Sequence, residues 1–186
     1  MSGGHGGHVE GGNKKIALLV AVLAAMLAFS ETGGKSAQTQ ALGDNIEASN
    51  LWSFFQAKTI RQTTLRTAAD GVEAQFKDGA TMPPGLKTQT ETWRRTAERY
   101  ETEPSTNEGR KELMARAKSK EIARDKAMAA YHLFEFGSAA FQLAIVLAGA
   151  SALTAVVWLT FVSYGLGVVG LIFTLFAFFA PTLIHL

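Results

Sequence analysis

Residues 127–186 read AMAAYHLFEFGSAAFQLAIVLAGASALTAVVWLTFVSYGLGVVGLIFTLFAFFAPTLIHL, a stretch without Lys, Arg or Asp and with one Glu, Glu135. About 20 predominantly apolar residues are enough to cross a bilayer as a helix. We therefore predict two transmembrane helices, at residues 127–153 and 158–180, joined by an uncharged turn at 154–157. Pro181 ends the last helix because proline cannot continue one.

A shorter apolar run lies near the N-terminus, IALLVAVLAAMLAF at residues 16–29. Its length as a helix is only about 21 Å, less than the roughly 30 Å hydrocarbon core of a bilayer. If Lys14 and Lys15 extend towards the headgroups and the helix includes the next three residues, it forms a first transmembrane helix at 16–32. The alternative is a signal peptide with a poor cleavage site; we expect an uncleaved anchor.

Glycine-rich sequence lies on both sides of this segment. Residues 1–15 are rich in Gly and contain His5 and His8, so we expect a flexible tail. Gly33 and Gly34 follow the segment, and we expect them to end the helix or to form a hinge.

Residues 35–126 hold most of the charge and are rich in good helix formers. A DGATMPPG loop at 78–85 and Pro104 divide the region, which predicts three helices, at residues 36–77, 86–103 and from 108 onward. The last has no internal break and should continue into the transmembrane helix at 127–153. The predicted fold is all-α: an integral membrane protein with three transmembrane helices and an extramembrane helical hairpin or coiled-coil domain between the first two.

The composition excludes several classes of function. There is no Cys, which excludes disulfides, thiolate metal sites and Cys nucleophiles. A net charge of +2 argues against a nucleic-acid partner. No phosphate-binding glycine loop, HExxH or G-x-S-x-G motif is present, so we expect no enzyme and no cofactor.

The basic residues near the predicted membrane helices suggest an orientation. With three spans, the polar domain and the C-terminus share one side. That side carries more Lys and Arg, which places the domain in the cytoplasm by the positive-inside rule: Lys35, Lys118, Lys120, Arg124 and Lys126, against Lys14 and Lys15. The two lysines flank the first span, which often dominates orientation, and they argue the other way.

Alanines four residues apart form a face on two of the predicted spans. Small residues let membrane helices approach closely. We expect that the two faces meet, or that one pairs with a copy of itself: Ala17, Ala21 and Ala25 on the first span, and Ala140, Ala144, Ala148 and Ala152 on the second.

Ionisable residues gather at one level of the predicted membrane helices: Glu31, Lys35, His132 and Glu135. His132 and Glu135 lie three apart and share a helix face. The cluster could act in proton coupling or hold a divalent cation. An interfacial network of ion pairs explains it more simply, because a charge near the headgroups costs less than one at the bilayer centre. Gln142 lies deeper in the second span and can form a hydrogen bond to another helix, but it does not make a proton pathway.

A second unusual feature is the segment LWSFF, which wraps large apolar side chains around most of a helix: Leu51, Trp52, Phe54 and Phe55. A two-helix hairpin buries only one stripe of each helix. The remainder could be covered by a three-helix core within the chain or by a second subunit. The third helix offers few large side chains, so self-association is the preferred interpretation.

Several stretches resemble an uncharacterised family of small membrane proteins that is catalogued only as a domain of unknown function. They are GGKSAQTQAL (33–42), IEASNLWSFFQAKTIRQTTLRTAAD (46–70), EPSTNEGRKELMARAK (103–118) and YHLFEFGSAAFQLAIVLA (131–148). The resemblance implies a bacterial, three-span membrane protein, and we expect its location to be the inner (cytoplasmic) membrane. It implies no catalytic residues.

These observations favour a non-enzymatic membrane scaffold or accessory subunit. Its partners would be the lipid bilayer and either further copies of the chain or a larger membrane complex. The alternative is a small oligomeric ion or proton-linked transporter or channel, in which Glu31, His132 and Glu135 line a wet path.

Overall fold

The structure, a computed structural model, describes residues 7–77 and 81–183. Those residues form four helices and no strand: α1 (Gly7–Ala74), α2 (Pro84–Glu101), α3 (Arg110–Thr154) and α4 (Val157–Phe179). The all-α prediction is confirmed. Three helices, namely α3, α4 and α1 from Lys14 onward, are long and apolar enough to cross a membrane by length and composition.

Helix α1 continues through Gly33 and Gly34, so the prediction that this pair ends the helix or forms a hinge is wrong. The first apolar segment, expected as a separate helix at 16–32, is part of a helix of 68 residues. Both glycines lie against α3. A Cβ atom built on Gly33 would be 2.6 Å from the Phe134 ring, so glycine serves close packing here.

The N-terminal residues differ from the predicted tail at 1–15. Helix α1 already begins at Gly7. Residues 1–6, which include His5, lie outside the described residues.

Helix α2 begins at Pro84, two residues before the predicted start. Proline is well suited to the first turn of a helix, where its missing N–H has no intrahelical partner and its φ is already helical. Helix α3 passes residue 126 without a break, and the helices on either side of the predicted turn end at Thr154 and begin at Val157.

The contacts within the chain define two units. The apolar unit comprises the described residues of 1–42 and 124–186, and the polar unit comprises residues 43–123. The predicted polar domain, 35–126, is therefore slightly longer than the polar unit at both ends.

In the apolar unit, large side chains of α1 pack against small side chains of α3. Leu19 and Leu23 are buried with Phe141, Ala144 and Ala148. A second buried cluster joins all three helices through Ala37, Leu133, Phe134 and Ala177. Burial of these side chains stabilises the unit by close packing, which is how apolar helices associate when lipid surrounds them.

Small residues also bring α4 close to α3. Ser163 Oγ donates a hydrogen bond to the carbonyl oxygen of Ala144 at 2.7 Å. A Cβ atom on Gly170 would be 2.9 Å from the Phe141 ring and 3.0 Å from the carbonyl oxygen of Gly137. Glycine at position 170 therefore permits a backbone approach that no larger residue allows.

In the polar unit, all three helices contribute to the interior. Leu51 of α1 is buried with Leu113 and Ala117 of α3. On α2, Ala97 is 1% exposed. Its carbonyl oxygen accepts a hydrogen bond from the Gln62 amide at 2.9 Å.

Candidate functional site

Several polar side chains of the apolar unit line a groove between α1 and α3. Its volume is about 430 Å³. We call it the polar groove and define it by its polar lining residues: Ser30, Glu31, Lys35, Gln38, Tyr131, Glu135, Ser138 and Gln142. Gly34, Phe134 and Ala139 complete the lining.

Helical spacing explains how the sequence builds this groove. On α1, Glu31, Lys35 and Gln38 follow one another at intervals of four and three residues, which places them on one helix face. On α3, the same alternation of four and three connects four residues: Tyr131, Glu135, Ser138 and Gln142. Two polar stripes on facing helices therefore form the groove.

Side chains of the groove form hydrogen bonds at two levels along the helices, the level of Glu135 and the level of Gln142. At the first level, Tyr131 OH donates to Glu135 Oε1 at 2.6 Å. His132 Nδ1 lies 3.5 Å from the other carboxylate oxygen of Glu135. At the second level, Gln142 Nε2 of α3 donates to Glu31 Oε1 of α1 at 3.5 Å. The side chains of Glu31, Glu135 and Gln142 are all exposed.

The structure brings most of the predicted ionisable cluster together. Glu31, Lys35 and Glu135 line the groove, whereas His132 lies beside it, next to Glu135 and the Tyr131 ring. Lys35 makes no ion pair with any residue that the structure describes. Within the described residues, no group of three or more His, Asp or Glu side chains could hold a metal ion.

Contacts with α4 locate the two levels along the helices. Phe134, next to Glu135, stacks edge-on against Phe178, with ring centroids 5.0 Å apart, near the C-terminal end of α4. Gln142 lies between Phe141, which faces Gly170, and Ala144, which is bonded to Ser163. Gln142 is therefore level with the middle of α4.

Along the helix axis, the backbone of Glu31 lies between the levels of Glu135 and Gln142. Its neighbour Ser30 donates a hydrogen bond to the carbonyl oxygen of Phe134 at 3.0 Å. Thr174 Oγ1 donates to Ser30 Oγ at 3.3 Å. Since Thr174 is five residues before the end of α4 at Phe179, Ser30 lies about 7.5 Å from that end at 1.5 Å per residue, and Glu31 lies one residue nearer to it.

Sequence reasoning identified part of this groove. It selected Glu31, Lys35 and Glu135 as ionisable groups and Gln142 as a deeper polar group, and it missed Gln38, Tyr131 and Ser138. The missed residues are polar but uncharged, so a search for charges passes over them. The alternation of four- and three-residue intervals was the signal that could have found them.

The alanine faces of the two apolar helices do not meet within the chain. Ala140, Ala144 and Ala148 are buried and Ala152 is half-buried, whereas Ala17, Ala21 and Ala25 are exposed. Leu19 and Leu23 contact α3 instead, because large side chains fill the space left by the small ones. Pairing of the exposed alanine face with a second copy stays a prediction.

The segment LWSFF at residues 51–55, here called the aromatic segment, is covered in large part by other residues of the polar unit. Trp52 Nε1 donates a hydrogen bond to Glu121 Oε1 at 2.9 Å, and Trp52 meets Phe55 edge-on at 5.4 Å. Leu51 is buried with the third helix, while Phe54 keeps 36% of its surface exposed. These contacts match the alternative of a three-helix core within the chain.

Two cations stack on the aromatic segment, and sequence reasoning missed both. Lys58, only 5% exposed, lies 5.3 Å from the Phe54 ring centroid, and its Nζ is 3.3 Å from Glu103 Oε2. Arg110 lies 4.9 Å from the Phe55 ring centroid. Cation–π contacts of this kind stabilise a partly desolvated charge.

Arg110 also belongs to a hydrogen-bonded network around Gln62. Its Nη1 atom donates to Gln62 Oε1 and Glu101 Oε2, both at 2.7 Å. The hydrogen bond from the Gln62 amide, together with the charge of Arg110, holds the pKa of the Glu101 carboxyl below its ordinary value. The network pairs polar and charged side chains of α1, α2 and α3 with one another, so the role of these side chains is structural.

The described residues thus define an all-α protein with three long apolar helices and a compact helical unit. The chain belongs to the family described as Domain of unknown function (DUF4337), whose model matches residues 12–180. The resemblance noted in the sequence is confirmed. No curated protein and no solved structure matches the chain.

Proposed function

We propose that the protein is a non-enzymatic membrane scaffold or accessory subunit that associates with other protein inside the bilayer. In this proposal α3, α4 and the apolar part of α1 cross the membrane. The dimensions support this: α4 has 23 residues, and at 1.5 Å per residue its length is about 34 Å, close to the roughly 30 Å hydrocarbon core.

The observation that carries the proposal is the polar groove. If α4 crosses the bilayer, Gln142 lies near its centre and Glu31 lies about one helical turn inside the C-terminal end of α4. Lipid offers no hydrogen bonds, so polar groups facing it are costly. The exposed side chains of Glu31 and Gln142 therefore call for protein or water beside them, and a protein partner meets that need.

The basic residues support a location and an orientation for this scaffold. We place it in a bacterial inner membrane with the polar unit in the cytoplasm, since more Lys and Arg flank the helices on that side. Because the chain has no Cys, single cysteines can be labelled without background. A membrane-impermeant maleimide added to intact cells should leave Gln56→Cys unlabelled; labelling would place the polar unit outside.

A second candidate function is ion or proton-linked transport. Glu31 and Glu135 line the same groove, at two depths along the proposed membrane helices. In an oligomer the groove could enclose water. Purified protein in liposomes should then conduct protons or cations, and Glu31→Gln should reduce the flux severalfold; absence of any wild-type flux contradicts this candidate.

Native mass spectrometry of protein released from lipid nanodiscs tests the scaffold proposal. The wild-type chain, of 19.9 kDa, should appear in an assembly larger than one copy, with itself or with other proteins. Replacement of both groove residues, Glu31→Leu with Gln142→Leu, should release monomers because lipid can then cover the groove. The matched control is Gln56→Leu, at an exposed position of the polar unit, which should leave the assembly intact. A monomeric wild type would contradict the proposal.

A further inference from the structure

We infer that the polar groove is the contact between two copies of this chain, related by a twofold axis along the membrane normal. The inference rests on the proposed function and names the partner of that same site. It follows from the chemistry of the groove, its shape and the depth of its side chains.

The groove complements itself chemically. It contains two carboxylates, Glu31 and Glu135, and one ammonium group, Lys35, within about one helical turn of Glu31. It also contains the amides of Gln38 and Gln142, and each amide both donates and accepts hydrogen bonds. A ligand of a single charge would satisfy only part of this set, whereas a second copy brings carboxylates, an ammonium group and amides together to the contact.

A twofold axis along the membrane normal brings residues of equal depth together. Copies inserted in the same direction present the same patch to each other, and such an interface is isologous. The Gln142 amide can then exchange hydrogen bonds with that of its symmetry mate. Its present bond to Glu31 is long, at 3.5 Å, which leaves most of its bonding capacity available.

The ionic groups fit the same arrangement. Lys35 makes no ion pair within the described residues of its own chain, although it lines a groove with two carboxylates. Across the twofold axis its flexible side chain can reach a carboxylate of the second copy at nearly the same depth. Each Lys35 would then be paired with a carboxylate of the other copy.

The groove also has space for a close approach. Small residues line it on both helices: Gly34 on α1 and Ser138 on α3 are buried, and Ala139 on α3 is exposed beside them. Small residues at a helix contact let backbones approach and let buried polar groups bond across the interface. A second copy can therefore reach the polar side chains without displacing large apolar groups.

Disulfide crosslinking in native membranes tests the inference, since the natural chain has no Cys. Ala139→Cys adds a thiol in the groove and keeps every polar group. Val168→Cys is the matched control, because Val168 lies at a similar depth on α4 and is 56% exposed. With a mild oxidant, Ala139→Cys should give a dimer on non-reducing gels and Val168→Cys should not.

A second variant asks whether the polar groups hold the dimer. Ala139→Cys combined with Gln142→Leu should give at least about tenfold less dimer, a ratio that corresponds to 1.4 kcal/mol. The same cysteine combined with Gln56→Leu should crosslink as well as Ala139→Cys alone.

Each remaining outcome overturns the inference. Crosslinking at Val168 with none at Ala139 would place the contact on another face. If neither cysteine crosslinks while native mass spectrometry shows an assembly with another protein, the inference fails and the scaffold proposal stands. If Ala139→Cys reacts readily with a water-soluble maleimide and does not crosslink, the groove is wet and the transport candidate gains.

Discussion

At the scale of single residues, the glycines of the apolar helices are not equivalent. A Cβ atom on Gly137 would lie 2.7 Å from Thr174 Oγ1 and 3.1 Å from the carbonyl oxygen of Gly170. On the same helix, a Cβ atom on Gly149 would meet nothing within 4 Å. Gly137 is therefore required by the contact with α4, whereas Gly149 only lowers the helix propensity of α3.

This difference predicts opposite effects of the same substitution. Gly137→Ala should lower stability by about 1–3 kcal/mol, because the helices must separate or shift to admit the methyl group. Gly149→Ala should raise stability by about 0.5–1 kcal/mol, because alanine loses less backbone entropy in a helix. Thermal unfolding in detergent, followed by circular dichroism, measures both. Equal shifts in the two variants would contradict the packing at Gly137.

Two carboxylates of the polar unit predict how its stability depends on pH. Glu101 has a lowered pKa because of Gln62 and Arg110, and the hydroxyl of Thr102 lowers the pKa of Glu112. A pKa that is lower in the folded state stabilises the fold above the unfolded value, here 4.5. That stabilisation disappears as the pH falls through the folded pKa.

The thermal midpoint should therefore be nearly constant between about pH 7 and pH 5.5 and should decrease below about pH 4.5. Glu101→Gln should be less stable at neutral pH and should show a shallower decrease with acid. Glu98→Gln, at an exposed position of the same helix, is the control and should behave as wild type. A profile that is flat to pH 3 would show that these carboxylates do not stabilise the fold.

At the scale of elements, the connection between α3 and α4 is short and strained at one residue. Ala155 has a φ of 57°, in the left-handed region that disfavours a side chain. Its N–H still donates to the carbonyl oxygen of Ser151 at 3.0 Å, and Ser151 Oγ bonds Thr160 at 2.7 Å. The turn is therefore held by hydrogen bonds against an unfavourable backbone conformation.

Glycine should relieve this strain. Ala155→Gly is expected to raise the free energy of unfolding by about 1 kcal/mol, since glycine adopts positive φ at little cost. Ala152→Gly, one turn earlier and inside α3, should lower it by about 0.5–1 kcal/mol. Denaturant titration of the detergent-solubilised protein measures both, and destabilisation by Ala155→Gly would argue against the left-handed turn.

The helix boundaries also show which parts of the fold can be predicted from sequence patterns. Apolar length and proline positions predicted α3, α4 and the loop before α2 to within a few residues, because those signals are local. Gly33 and Gly34 misled the prediction, since their role depends on Phe134, which lies about a hundred residues away. A glycine pair that breaks an isolated helix can strengthen a packed one, and only the tertiary contact distinguishes the two cases.

At the scale of the whole molecule, contacts between residues far apart in the sequence determine how the aromatic segment is covered. Sequence patterns could not predict these contacts. The aromatic segment alone suggested self-association, because the third helix offered few large side chains. The structure adds Arg110 over Phe55 and Glu121 on Trp52, and these are polar residues that no hydrophobic pattern selects. In our proposal, the surface that needs a partner is instead the polar groove of the apolar unit.

Substitutions in the polar unit should therefore change stability, whereas substitutions in the polar groove should change assembly. Phe55→Ala removes the ring under Arg110 and part of the cluster around Leu51, so it should destabilise the polar unit by about 2 kcal/mol, less than for a fully buried Phe. Below its unfolding temperature this variant should keep the copy number of wild type. Gln142→Leu should do the reverse, with an unchanged thermal midpoint and a loss of dimers in native mass spectrometry. Loss of dimers from folded Phe55→Ala would indicate that the aromatic segment mediates self-association, because Phe55 takes no part in a contact through the polar groove.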